Sequence, residues 1–276
     1  VHIDHKIRKN STKEAKDLKY FIKKFQINCE VFSWKKSKKI RITQKNARIA
    51  RYSLLERFCK KKKINALLLG HHRDDLYENF FIRMLRGSGI RGLTSFSSQD
   101  TFINKSLKGY RPFLNITKKT LLKVTNKVFD YYIDDPSNSS DQFLRIRVRN
   151  LLRSLQNEGF DKKKFDLTYC NLHSANETLK YYSDQNISKN TNYFSKNLKD
   201  KVVINQKFFN QPDEIVLRSL SNLISKTNSK YYYPRGKSLI KKISEIRDNS
   251  FKKTTLGGCI IERVNNTTLI YPENIK

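Results

Sequence analysis

Residues Ala66 to Leu93 read ALLLGHHRDDLYENFFIRMLRGSGIRGL, and this stretch decides the fold. Leu67-Leu68-Leu69 is a short apolar run of the kind carried by a strand buried on both faces. Gly70 lets the backbone turn, and His71, His72, Asp74, Asp75 and Glu78 follow at once. From about Asp74 to Leu85 the spacing predicts a helix, with Leu76, Phe80 and Met84 at every fourth residue as its core stripe. Asp75, Glu78 and Asn79 fall at i, i+3 and i+4, on a neighbouring polar face. The RGSGIRGL run from Arg86 to Leu93 reads as a loop rather than a helix. Titratable groups crowded between a buried strand and an amphipathic helix make a candidate site.

Upstream, Val1 to His5 (VHIDH) reads as a strand. Ser11 and Glu14 have capping-box spacing, opening a helix over about Thr12 to Phe25. Asn28 to Trp34 is a second strand, and Lys35 to Arg41 a basic loop. Gln44 to Lys61 reads as a helix with Ala47, Ala50, Leu54 and Phe58 on one side. Arg48 and Arg51, three apart, project from another. Strand and helix alternating three times is the grammar of a parallel sheet with right-handed crossovers. Ligands of such sheets bind outside the carboxyl ends of the strands, where His71 and the two aspartates are expected.

Downstream, Arg111 to Leu114 is expected to be extended, Thr117 to Tyr131 helical, and Asp134 to Asn138 a turn. Gln142 to Leu155 reads as a helix whose first turns carry Arg145, Arg147 and Arg149 against the helix dipole, which hints at an anionic partner. From Lys162 to Asp200 the pattern is helical and polar, consistent with a connecting helix and a mobile, Asn-rich end. Past Lys201 come helices near Pro212 to Ser225 and Lys237 to Asp248. Two strands follow, Thr255 to Val264 and Thr268 to Tyr271, joined at Asn265-Asn266. The expected architecture is an α/β parallel-sheet domain over 1–145, a helical connection over 146–200, and a small α+β domain over 201–276.

The 276 residues carry 57 Lys+Arg against 25 Asp+Glu, a net charge of +32 that suits polyanions. The same sequence is rich in Asn, Ile and Tyr, and an AT-biased genome alone also enriches lysine. With 17 Phe and 14 Tyr there is enough apolar bulk to build cores. Cys29, Cys59, Cys170 and Cys259 form no CxxC pair, so reduced thiols in a cytoplasm are expected rather than a zinc knuckle or disulfide framework. No run approaches the ~18 apolar residues of a membrane span. The chain opens on Val1 inside a strand, so its amino terminus reads as cut.

Two readings of the strand-end cluster compete. In one, the carboxylates and Arg86 satisfy each other as a structural ion-pair network. In the other, Asp75 and Glu78 present paired negative charge to an ammonium group or a metal ion, and His71 touches a phosphate or polar reactant. Two histidines beside carboxylates admit zinc, but the His-His spacing lacks the i, i+4 geometry of helical zinc sites. The RGSGIRGL loop offers amides and guanidinium groups suited to phosphate, although GSG alone is a weak signal.

These residues resemble the tRNA(Ile)-lysidine synthase family of the N-type ATP pyrophosphatase (PP-loop) superfamily. The resemblance runs through His5-x-x-Arg8-x-x-Ser11, Ala47-Arg48-x-x-Arg51-Tyr52 and Gly70-His71-His72-x-Asp74-Asp75-x-x-Glu78. It continues through Arg86-Gly87-Ser88-Gly89-x-x-Gly92-Leu93, Arg111-Pro112, Asp135-Pro136-Ser137-Asn138 and Leu256-Gly257-Gly258. It implies a PP-loop ATP pyrophosphatase domain followed by a small carboxy-terminal tRNA-binding domain. The implied reaction has two steps: ATP adenylates C2 of the wobble cytidine in an isoleucine tRNA with a CAU anticodon, and free lysine then displaces AMP. By position, Asp75 and Glu78 would hold the lysine ammonium, with His71 at the reacting centre. Arg48 and Arg51 would contact ATP, accompanied by Mg2+. Arg86, Arg91, Arg145, Arg147 and Arg149 would grip the tRNA. A cytoplasmic enzyme is implied, and a homodimer allowed.

Two departures stand out. The family's RNRIRH stretch reads RIRVRN here, so contacts attributed to its Asn and His have no counterpart at Ile146 and Asn150. The family's SGGxDS loop, which cradles the pyrophosphate of ATP, is absent from these residues. It belongs upstream of the VHIDH strand, so the chain reads as a fragment lacking about one strand and one helix and inactive alone. The alternatives are a PP-loop tRNA thiolase, which paired cysteines would support, and a basic RNA-binding fragment without chemistry.

Overall fold

The computed structural model describes residues 1–35, 43–96, 101–102, 107–133, 144–193, 201–228, 236–248 and 250–273. The basic loop beyond Lys35 and the Asp134 to Asn138 cluster lie outside the described residues. The chain divides into two compact units, Val1–Phe160 and Asp161–Lys276.

In the first unit, β1 (His2–Asp4) runs through α1 (Ser11–Lys23) to β2 (Val31–Ser33), and the two strands pair in parallel with His2 opposite Val31. After α2 (Gln44–Lys61), β3 (Ala66–Leu68) leads into α3 (Arg73–Met84) and the single helical turn α4 (Ile90–Leu93). β4 (Thr101–Phe102) pairs antiparallel with β5 (Lys108–Tyr110), and β5 lies parallel to β3 with Ala66 opposite Lys108. α5 (Lys118–Phe129) and α6 (Leu144–Asn157) complete the unit. This is the expected α/β architecture with parallel pairing. The expected single sheet, however, is two: among the described residues β1–β2 and β3–β5–β4 share no ladder. β3, whose leucines suit two covered faces, leaves Leu68 71% exposed.

Local chemistry explains where the elements begin. Thr43 caps α2 by accepting the Asn46 N–H at 3.1 Å, and Thr117 caps α5 through the Thr120 N–H at 3.2 Å. The Ser11/Glu14 capping box does not form. Asp4 is buried at the end of β1 and takes the Ser11 and Thr12 hydroxyls at 2.9 and 2.8 Å, with the Lys6 N–H at 2.9 Å. Glu14 instead binds Arg8 at 2.8 Å. A buried carboxylate needs several donors, and Ser11 is drawn to that need. Burial pushes the Asp4 carboxyl up, but these three hydrogen bonds outweigh it and hold it below the usual carboxylate range.

Three further expectations change. Arg111 to Leu114 is a turn closed by the Leu114 N–H on the Arg111 carbonyl, and the strand lies just before it as β5. The end of RGSGIRGL is the short α4, not loop throughout. On α3 the buried set is Leu76, Tyr77, Glu78, Phe80 and Phe81, while Met84 is exposed. α6 packs on α3, with Ile146 and Val148 buried, and covers the face that carries Glu78.

The second unit is built on α7 (Lys162–Asn190) and α8 (Asp213–Thr227), which pack together, with α9 (Gly236–Arg247). Its antiparallel sheet has the order β6 (Thr191–Tyr193), β7 (Val202–Asn205), β10 (Thr267–Pro272), β9 (Cys259–Val264), β8 (Lys253–Leu256). The polar helix ends at Asn190, and the expected Thr255 to Val264 strand is split by a Gly257-Gly258 turn with both glycines at positive φ. Val216, Leu220, Leu223, Ile246, Ile261 and Ile270 form part of its core. No helix among the described residues is long and apolar enough to cross a membrane.

Candidate functional site

The site stands at the carboxyl end of β3. The strand's pairing extends one residue through the Leu69 N–H to the Tyr110 carbonyl, after which Gly70 releases the chain into His71 and His72. His72 is the residue before α3, and its N–H donates to Asp75 Oδ2 at 3.0 Å. Asp75 thereby spends one oxygen on the helix start and keeps Oδ1 for the site. Asp74 faces elsewhere and accepts the Lys118 N–H at 2.7 Å, binding the start of α5 to the start of α3.

Glu78, one turn further along α3, is 2% exposed. The Arg149 Nε donates to its Oε1 at 2.8 Å, and the Arg145 Nε lies 2.9 Å from its Oε2. Arg145 also approaches Asp75 Oδ1 at 3.7 Å. The contact to Oε2 is a close ion pair without an aligned hydrogen bond, so that buried oxygen keeps unused accepting capacity. Asn79 Nδ2 and His71 Nδ1 are likewise buried without a hydrogen bond. The ion-pair network that one of the two readings closes through Arg86 runs here through two arginines of α6. Their positive charge at a helix start is offset by Asp75 and Glu78.

His71 packs edge-on against Phe96 at 5.1 Å, and Arg111 lies over the same ring at 4.5 Å. Burial lowers the His71 pKa to about 4; Asp75 pulls the other way, and Arg111, Arg145 and Arg48 add to the fall. The ring is therefore neutral at pH 7, with one N–H and one lone pair to offer. Arg48, in reach of His71 electrostatically, lies 4.9 Å above the Tyr52 ring. Arg51 donates through Nε to His5 Nε2 at 3.2 Å, at the end of β1. The two strand ends thus each carry a histidine with an α2 arginine beside it.

The structure divides the predicted arginines. Arg145 and Arg149, four apart, share the α6 face on Glu78, while Arg147 lies on another face and is exposed. Arg86 follows the end of α3, and Arg91 sits in α4. Eight residues at ~1.5 Å each put Arg86 about 12 Å along the helix direction from Glu78. Asp4 and Arg111 were missed in the sequence, although Arg111 carried a signal in Arg-Pro. A groove of about 570 Å³ lined by Trp34, Asn46, Ala50, Ser53 and Arg57, among others, opens on a different face of α2 from Arg48 and Arg51. Among the described residues no group of three or more His, Cys, Asp or Glu could hold a metal ion.

Known proteins bear on this geometry. A tRNA(Ile)-lysidine synthase of Orientia tsutsugamushi is 34% identical over 98% of this chain and 62% of its own length. One from Wolbachia pipientis wMel is 31% identical over 99% of this chain and 63% of its own length. The chain thus spans about three fifths of the length of these curated relatives. The U34-tRNA thiolase of Methanococcus maripaludis overlays with a TM-score of 0.46 at 16% identity, covering 56% of this chain and 54% of that one. The PP-loop domain model matches residues 1–155, the part of the chain that holds both strand ends, α3 and the α6 arginines. The chain belongs to the PP-loop domain family.

Proposed function

We propose that the protein takes part in ATP-dependent ligation of lysine to C2 of the wobble cytidine in a CAU-anticodon isoleucine tRNA. One observation carries this reading. Glu78 is a buried carboxylate, one helical turn from Asp75, beside a neutral His71 at the carboxyl end of a parallel strand. A pair of carboxylates at that spacing suits a primary ammonium, and a single buried carboxylate oxygen with spare accepting capacity suits its N–H donors.

Within this reading each group has a task. Asp75 and Glu78 bind and orient the lysine ammonium. His71, uncharged, offers a hydrogen bond to the reacting base without repelling it from the arginines. Arg48 and Arg51 stand where positive charge stabilises negative charge developing on pyrophosphate as ATP transfers AMP to the cytidine O2. The bound ammonium gives up a proton to solvent, the free amine forms the new bond to C2, and the bond from C2 to oxygen breaks so that AMP leaves with the oxygen. Lysines and arginines outside the site hold the tRNA through its phosphates. No SGGxDS stretch occurs in the 276 residues, so tight ATP binding and lysidine formation are not expected of them alone.

The test is a nucleoside mass spectrum of the isoleucine tRNA from cells that rely on this gene for AUA decoding. Lysidine is expected with the unaltered gene and absent with Asp75→Asn or Glu78→Gln, while the purified variants still bind the tRNA. Lysidine at unchanged level in both variants contradicts the reading and leaves a basic RNA-binding protein in its place.

A further inference from the structure

Resting on that reading of α3, we propose that Arg145 closes the amine subsite in the free protein. It yields the subsite to lysine when an RNA phosphate takes its guanidinium, so that RNA binding tightens lysine binding. Glu78 presents two unlike oxygens. Oε1 accepts an aligned hydrogen bond from Arg149 at 2.8 Å, whereas Oε2 has Arg145 at 2.9 Å without alignment and is buried with no hydrogen bond. Arg149 is the fixed tether of α6 to α3. Arg145 is the loose partner, its side chain 46% exposed against 26% for Arg149.

The same guanidinium reaches Asp75 Oδ1 at 3.7 Å, so Arg145 spans the two carboxylates that an incoming ammonium must bridge. Guanidinium and ammonium cannot occupy this place together. Exchanging one for the other keeps Glu78 paired with a cation throughout, so the buried carboxylate is never left alone. Arg145 also shares its surroundings with Arg48 and Arg111, both close enough to act on His71. A phosphate arriving there relieves repulsion among the three arginines. Near the first turn of α6 the helix dipole further disfavours a cation, and an anion bound beside Arg145 reverses that penalty. A subsite blocked for most of the time lowers apparent affinity by the fraction of time it is open, and by linkage RNA and lysine must tighten one another equally.

The experiment titrates L-lysine calorimetrically into the purified chain, with and without the CAU-anticodon isoleucine tRNA. It is done for wild type, Arg145→Ala, Arg145→Gln, Arg149→Ala and Glu78→Gln, each verified as folded by circular dichroism. RNA should tighten lysine binding to wild type about two- to fivefold, the scale of one partly exposed charged contact. Arg145→Ala and Arg145→Gln should bind lysine about two- to fivefold tighter without RNA, and RNA should then add little. Arg149→Ala should not mimic them. If Glu78→Gln abolishes lysine binding but neither Arg145 variant strengthens it, the gating role is overturned and the lysine site stands. If lysine binds nowhere, or binds with no regard to Glu78, the reading of α3 falls and this inference with it.

Discussion

Arg145 and Arg149 contact the same carboxylate, yet their removal should cost very different amounts. Arg149→Ala deletes an aligned charged hydrogen bond of 2.8 Å and strands Oε1 of a side chain that is 2% exposed. Charged hydrogen bonds contribute about 1.5–3 kcal/mol, and an unpaired buried charge costs about 3–5 kcal/mol. Arg145 stays close enough to share the charge, so about 2 kcal/mol is expected. Arg145→Ala removes a half-exposed, unaligned contact and should cost about 0.5–1 kcal/mol. Glu78→Gln keeps the shape but loses the charge, and both guanidinium groups can turn to water, which suggests about 1–2 kcal/mol. Trp34, the sequence's single tryptophan, lies buried in the first unit, so its fluorescence in urea follows that unit. A double-mutant cycle should give Glu78–Arg149 a coupling above about 1 kcal/mol and Glu78–Arg145 a smaller one. Equal costs for the two arginines, or no coupling between Glu78 and Arg149, refute the division into tether and gate.

Two other predictions are independent of it. Burial lowers the His71 pKa to about 4, so between the ordinary value near 6.5 and that value the unfolded chain binds more protons than the folded one. Its stabilising contribution is therefore complete above about pH 6.5 and lost as pH falls towards 4. Imidazole nitrogen NMR should find the ring neutral at pH 5.5, and His71→Gln should flatten the stability profile by about 1–2 kcal/mol over that window. A ring that titrates near 6.5 sinks the assignment. In the RGSGIRGL loop, a Cβ on Gly92 would stand 2.7 Å from the Ser88 Cβ. Gly92→Ala should destabilise by about 1–3 kcal/mol, and adding Ser88→Gly should restore most of it; a neutral Gly92→Ala contradicts the close packing.

Much of the first unit was legible because its signals are local. Thr43 caps a periodic run, and the predicted bounds of α2, Gln44–Lys61, are those observed. β3 and α3 were found from three leucines, a glycine and a repeat of apolar residues, each end falling within a residue of its predicted place. What escaped depends on distance or on partners. Glu78 and Arg149 lie 71 positions apart, and only the packing of α6 on α3 turns a polar helix face into a buried one. The equal spacing of Arg145, Arg147 and Arg149 hid a division that the helix makes by rotation: the first and third pair with Glu78, and the middle one is exposed on another face. β5 reads Lys-Gly-Tyr and β6 Thr-Asn-Tyr, with no apolar alternation; both are strands because a neighbour supplies the ladder. Asp4 shows the same thing at short range, taking Ser11 away from the capping role its spacing suggested.

The measurement closest to the central claim is amino-acid selectivity at α3. L-lysine and L-norleucine, which has lysine's four-carbon side chain without the terminal amine, should be titrated against the tRNA-bound chain and its Glu78→Gln variant. The account predicts that lysine binds, norleucine does not, and Glu78→Gln abolishes the difference. Equal binding of the two amino acids, or undiminished lysine binding by Glu78→Gln, would contradict it.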